Sequence, residues 1–155
     1  MFETIVWASD GSELADQALE HVRSLAEIHG SRIVAVHANE VLIGRAGGAP
    51  ALADEEDIRQ KLGRQVEELR AAGFDARLEV RTGSQHVATL VERAASDVDA
   101  GLIVVGTHGR GGVRAALLGS VARGLCHTAR RPVLIVPPAE AIEPSTADAE
   151  QLATV

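Results

Sequence analysis

Leu102-Ile103-Val104-Val105-Gly106-Thr107-His108-Gly109-Arg110-Gly111-Gly112, continuing through Val113 and Arg114 to Leu118-Gly119-Ser120, runs from an apolar stretch into a glycine-rich loop and then into a helical pattern. The unbroken apolar run Leu102 to Val105 is the signature of a strand covered on both faces, as in a parallel sheet. Glycine carries no Cβ, so a ligand can approach the backbone of the loop, and the first N–H groups of the following helix have no partner of their own. Strand, glycine loop and helix start in that order suit an anion.

Working outward, Thr4 to Ala8 reads as a first strand, ending at Ser9-Asp10-Gly11-Ser12. Ser12 is placed to cap a helix whose apolar positions Ala15, Ala18, Leu19, Val22, Leu25 and Ala26 keep helical spacing up to Gly30. Arg32 to Ala38 is a second strand. Asn39 to Ala53 holds no period and is broken by Gly44, Gly47, Gly48 and Pro50, so it reads as a long loop. Asp54 to Ala72 is helical with Ile58, Leu62, Val66 and Leu69 on one face, and Phe74 to Thr82 alternates as a half-exposed strand. Ser84 is placed to cap a third helix facing inward through Val87, Leu90, Val91 and Ala94. Val121, Ala122, Leu125, Cys126 and Ala129 mark the buried stripe of a last helix, and Val133 to Val136 the last strand.

Strands alternating with helices predict an α/β fold: a five-stranded parallel sheet, order 3-2-1-4-5, with helices on both faces. In such sheets ligands bind where the chain reverses direction, at the carboxyl ends of strands one and four. That rule brings Asp10 beside the Gly106 loop, although the two are far apart in sequence. The two edge strands differ. Arg77, Glu79 and Arg81 stud the third, whereas Val133 to Val136 is bare and invites a second copy, which predicts a homodimer through that strand.

A chain of 155 residues with 46% apolar residues is sized for one domain with a sizeable core. Its net charge of -7 and 2% aromatic content argue against nucleic acid, which is bound by basic stripes and stacking platforms. One cysteine, Cys126, makes no internal disulfide, and the N-terminus has Glu3 and Asp10 where a signal peptide carries basic and apolar residues, so a cytoplasmic location is expected. No apolar run suits a membrane span. Residues 1–137 are expected to form the domain, and 138–155, acidic and rich in Pro, Ser, Thr and Ala, a disordered tail.

The loop fails two common phosphate motifs. The only lysine, Lys61, lies in the second helix, so there is no P-loop lysine, and the first turn has one glycine where a dinucleotide fingerprint needs three. What stands here is Gly106, two residues, Gly109, nine residues, Gly119-Ser120. That spacing resembles the nucleotide-binding motif of the universal stress protein family. The resemblance extends to Val6 to Ser12, to Val34 to Ala38 and to Arg130 to Val136, and so spans residues 1 to 137. It implies a flavodoxin-like domain that binds ATP and serves as a regulator of the stress response through nucleotide-dependent conformation or partner binding. It also implies a dimer paired through its last strand. On the matching positions, Asp10, with the backbone of Ala8 and Ser9, would meet the ribose or adenine, and the backbone at Ala38 would read the adenine edge. Val105 would pack near the sugar. Gly106, His108, Gly109 and Arg110 would wrap the phosphates from one side, with Gly119, Ser120 and Val121 presenting N–H groups and a hydroxyl from the other. Magnesium is expected to accompany ATP, because an acidic protein needs local donors, arginines such as Arg110 and Arg114, or a divalent cation to hold it.

Other readings stand beside these. Asp10 could cap the first helix, although Ser12 suits that task. His37, beside an apolar run, reads as satisfying a local hydrogen bond, and His108 as either a cleft residue or a solvent-facing one. His21, His29, His86 and His127 show no metal-ligand pairing, so no metal site is expected. Cys126 is expected in the core. Slow ATP hydrolysis or nucleotidyl transfer, with His108 or Asp10 positioning water or a phosphate oxygen, and cAMP binding in the same crevice are the alternatives to ATP binding.

Overall fold

The computed structural model describes residues 2–41, 52–109 and 118–139, and among these described residues nine elements alternate. They are β1 (Thr4–Ala8), α1 (Glu13–His29), β2 (Arg32–Glu40), α2 (Leu52–Ala71), β3 (Ala76–Gly83), α3 (Val87–Asp97), β4 (Leu102–Gly106), α4 (Ser120–Thr128) and β5 (Val133–Val136). The strands form one parallel sheet in the order β3-β2-β1-β4-β5, as the alternation predicts.

Side chains leave a strand alternately to its two faces, so the central strands feed two cores. Ile5, Trp7, Ile33, Ala35, Leu102 and Val104 pack with α1 and α2, whereas Val6, Ala8, Val34, Val36, Ile103 and Val105 pack with α3 and α4. From α2, Ile58, Leu62, Val66 and Leu69 are all buried at the predicted spacing, each contributing about 1.5–3 kcal/mol of hydrophobic stabilisation. Trp7 is fully buried, and its indole N–H donates to the Ala15 carbonyl at 3.0 Å. That bond fixes α1 over β1 and with it the turn between them. α1 ends at Gly30, whose left-handed φ of 66° releases the chain toward β2. On the other face Arg131 ties the approach to β5 onto α3, donating to the Ala95 and Ala100 carbonyls and to Glu92 and Ser96.

Three expectations need correction. β2 continues past Ala38 because β3 supplies partners for two more rungs, Asn39↔Thr82 and Glu40↔Gly83, whereas β1 stops at Ala8. Ser84 does not cap α3; the helix starts at Val87 with His86 at the cap position and no side-chain cap bond. Cys126 is exposed rather than in the core. In so short a helix the buried stripe is narrow, taking Ala122 and Leu125 and leaving the next residue to turn outward. The loop expected over 39–53 lies outside the described residues from 42 to 51, and so does the tail from 140 onward. Among the described residues no helix is long and apolar enough to cross a membrane.

Candidate functional site

β1 and β4 are neighbours that end on the same side of the sheet, and the turns following them meet there. The Asp10 carboxylate lies against Gly109, in the space a Cβ on that glycine would fill. Around this junction opens a cleft of about 620 Å³, within the usual range of about 300–1,000 Å³ for small-molecule pockets. Its floor is built from Ala8, Val36, Ala38 and Val105, which share the α3/α4 face of the sheet. The two alanines leave a hollow where larger residues would have completed the core. Val87 and Val91 of α3 form an apolar wall, and Gly106 to Gly109 with Gly119 to Arg123 form the polar one.

The α4 start is the strongest feature of the polar wall. Gly119 occupies the cap position in extended conformation, and no side chain caps the helix. Its N–H donates to the Thr107 carbonyl at 2.7 Å. A Cβ there would stand 3.0 Å from that oxygen and 3.2 Å from His108 Cα, so only glycine lets the helix start this close to the loop. The first intrahelical bond is Arg123 N to Gly119 O at 3.0 Å. The N–H groups of Ser120, Val121 and Ala122 therefore have no helix carbonyl to donate to, and they carry the positive end of the helix dipole into the cleft.

At the opposite end β2 offers its backbone. Arg32 N donates to Glu3 O and Ser9 N to Val36 O, so the even-numbered residues of β2 present their peptide groups toward β1; Ile33 N donates to Asp75 O, so the odd-numbered ones serve β3. β1 has ended by Ala38. The N–H and C=O of Ala38 thus point past the last rung of the ladder, a donor and an acceptor side by side. His37, fully buried, bonds through Nδ1 to the Ser9 carbonyl at 2.9 Å and through Nε2 to Glu55 at 2.9 Å, which is the local hydrogen bonding read from its setting. Asn39 also donates to Glu55.

α2 braces the turn that carries Asp10. Gly11 has φ +78°, with Ile58 side-chain atoms 3.1 Å from where its Cβ would stand, and Lys61 Nζ donates to the Gly11 carbonyl at 2.7 Å and to Asp16 at 2.6 Å. Asp10 Oδ1 accepts from Ser12 N at 3.0 Å, and Ser12 Oγ from Ala15 N at 3.3 Å. Ser12 is therefore the helix cap, with Asp10 supporting the turn and lying in the cleft wall.

Of the residues singled out from sequence, Ala8, Ser9, Asp10, Ala38, Val105, Gly106, His108, Gly109, Gly119, Ser120 and Val121 all line this one cleft. Arg110 and Arg114 lie outside the described residues. Val36, Val87, Val91 and Thr107 also line the cleft and Glu55 braces it, which sequence reasoning does not anticipate, since the spacing of Val87 and Val91 points to the core. Nothing in the sequence marked the hollow, since its cause is the small size of Ala8 and Ala38.

A profile of the universal stress protein family matches residues 1–137. The chain belongs to that family. A universal stress protein of Thermus aquaticus is 34% identical over 140 residues, covering 88% of this chain and 99% of its own. The solved structure of Methanocaldococcus jannaschii MJ0577 superposes with a TM-score of 0.74 at 22% identity, over 91% of this chain and 99% of the other. A universal stress protein from Archaeoglobus fulgidus, solved in complex with dAMP, gives a TM-score of 0.64 at 25% identity, over 88% and 98% of the two chains. One solved with cAMP gives 0.59 at 24% identity, over 87% and 96%.

Proposed function

We propose that this universal stress protein binds ATP with Mg²⁺ in the cleft and acts as a nucleotide-dependent regulator. The observation that carries the reading is the uncapped start of α4, whose unpaired N–H groups open on a hollow of nucleoside size. The phosphates meet Gly106, His108, Gly109 and Arg110 on one side and Gly119, Ser120 and Val121 on the other. Asp10 takes the ribose, Val105 packs beneath the sugar, and the Ala38 peptide groups take the adenine edge. The relative solved with dAMP supports an adenine nucleotide as ligand. Occupancy is felt by α2, which is tied through Glu55 to His37 and Asn39 of β2 and through Lys61 to the turn that carries Asp10. Calorimetry with ATP and Mg²⁺ tests the reading: saturable heat is expected, and silence up to millimolar ligand rejects it.

The relative solved with cAMP favours a second reading, cAMP in the same cleft. Competition of cAMP against bound ATP decides between them. The assembly reading is a homodimer through Val133 to Val136. Three residues of β5 are only half-buried in the lone chain, while the other edge, β3, is occupied by the Arg77–Glu79–Arg81 ion pairs. Sedimentation at micromolar concentration should give twice the chain mass; a single-chain mass removes this assembly.

A further inference from the structure

Resting on that adenine reading, the inference concerns which purine the cleft accepts. Glu40 follows Val36 and Ala38 on the same face of β2, two residues beyond the floor, and its side chain lines the cleft. Its carboxylate meets His86 Nδ1 at 3.3 Å. His86 is the residue from which α3 starts, and the same helix supplies the apolar wall Val87 and Val91. The bridge therefore spans the end of the slot from strand to helix. β2 and β4 flank β1 on opposite sides, which puts Glu40 at one end of the cleft and the α4 amides at the other. A nucleotide entering a cleft polarised this way turns its phosphates to the amides and its base toward the carboxylate.

We propose that Glu40, positioned by His86, selects a base bearing an exocyclic amine where guanine and hypoxanthine carry a carbonyl. A carboxylate accepts hydrogen bonds and donates none. The Ala38 peptide matches one donor and one acceptor on the base edge, and the second N–H of the 6-amino group is left for Glu40. A 6-carbonyl in its place sets two acceptors against each other. The His86 ring meets the Glu40 carboxylate and His86 is not among the residues lining the cleft, so it acts as a positioning residue.

Calorimetric titration of the full-length protein with ATP and with ITP, which differ by amine and carbonyl at that ring position, tests the assignment. Wild type is expected to prefer ATP. Glu40→Ala should weaken ATP by about tenfold, the size of a lost hydrogen bond to a charged group, and leave ITP unchanged or tighter. Glu40→Gln, near-isosteric and able to donate, should tighten ITP while weakening ATP. His86→Ala should narrow the ATP:ITP ratio part of the way. A ratio that stays within about twofold of wild type in both Glu40 variants, with ATP still bound, overturns the role of Glu40 alone. If wild type binds neither nucleotide, the ATP reading fails together with it.

Discussion

α1 and α4 both begin at the carboxyl edge of the sheet, beside the same cleft, yet their first turns are finished in opposite ways. At α1 the chain supplies its own acceptors: Ser12 Oγ takes the Ala15 N–H and Asp10 the Ser12 N–H. At α4 the cap residue is Gly119, which has no side chain to offer, and the space a side chain would fill is taken by the carbonyl of Thr107. An N-terminus closed by its own residues contributes stability. One left open carries an unmet demand for acceptors, which water or an anion must fill. The pair thus separates a folding feature from a binding feature within one crevice.

Breaking the open terminus should have the largest effect. Gly119→Val puts a Cβ 3.0 Å from Thr107 O and branches into the amide cradle. Losing two or more charge-assisted bonds should weaken ATP at least about 100-fold by calorimetry. Asp10 supports the α1 turn and also lies in the cleft wall against Gly109, so Asp10→Ala should cost about tenfold in ATP affinity and also lower the melting temperature, since Ser12 N loses its acceptor. Ser12→Ala is the reciprocal test at the closed terminus. It should remove about 1 kcal/mol of stability in urea denaturation while ATP affinity stays within about twofold. Ser120→Ala removes a hydroxyl but keeps the backbone N–H, so a loss of about threefold in affinity with an unchanged melting temperature is expected. Were Ser12→Ala to weaken nucleotide more than Ser120→Ala, the division between the two helix starts would be wrong.

Much of this was legible because periodicity reports burial. The α2 stripe Ile58, Leu62, Val66, Leu69 and the unbroken run of β4 could be read directly, and order 3-2-1-4-5 then followed from crossover handedness. The failures lie where a neighbour overrides local pattern. β2 reaches Glu40 only because β3 lies alongside, and without that extension the position of Glu40 beside Ala38 has no meaning. Ser84 is a good cap residue in isolation, but α3 begins at Val87. Cys126 follows the helical spacing of Ala122 and Leu125, yet spacing does not tell how wide a buried stripe is on a helix of nine residues. In the site, Asp10, Ala38 and the glycines were visible through the motif and the switch-point rule. Glu55 and Lys61 were not, since contacts from α2 to β2 and to the β1–α1 turn exist only after packing. The hollow itself was hidden because its cause is missing bulk at Ala8 and Ala38, and small residues leave no pattern in sequence.

If the α4 amides hold the phosphates, amide NMR during titration with ATP and Mg²⁺ should register nucleotide binding at the start of that helix. Saturable shifts are expected at the Ser120 and Val121 N–H resonances, with the Ala15 N–H, already bonded to Ser12, moving little. Amides of Ser120 and Val121 that stay put while nucleotide binds, or shifts concentrated at the start of α1, would contradict it.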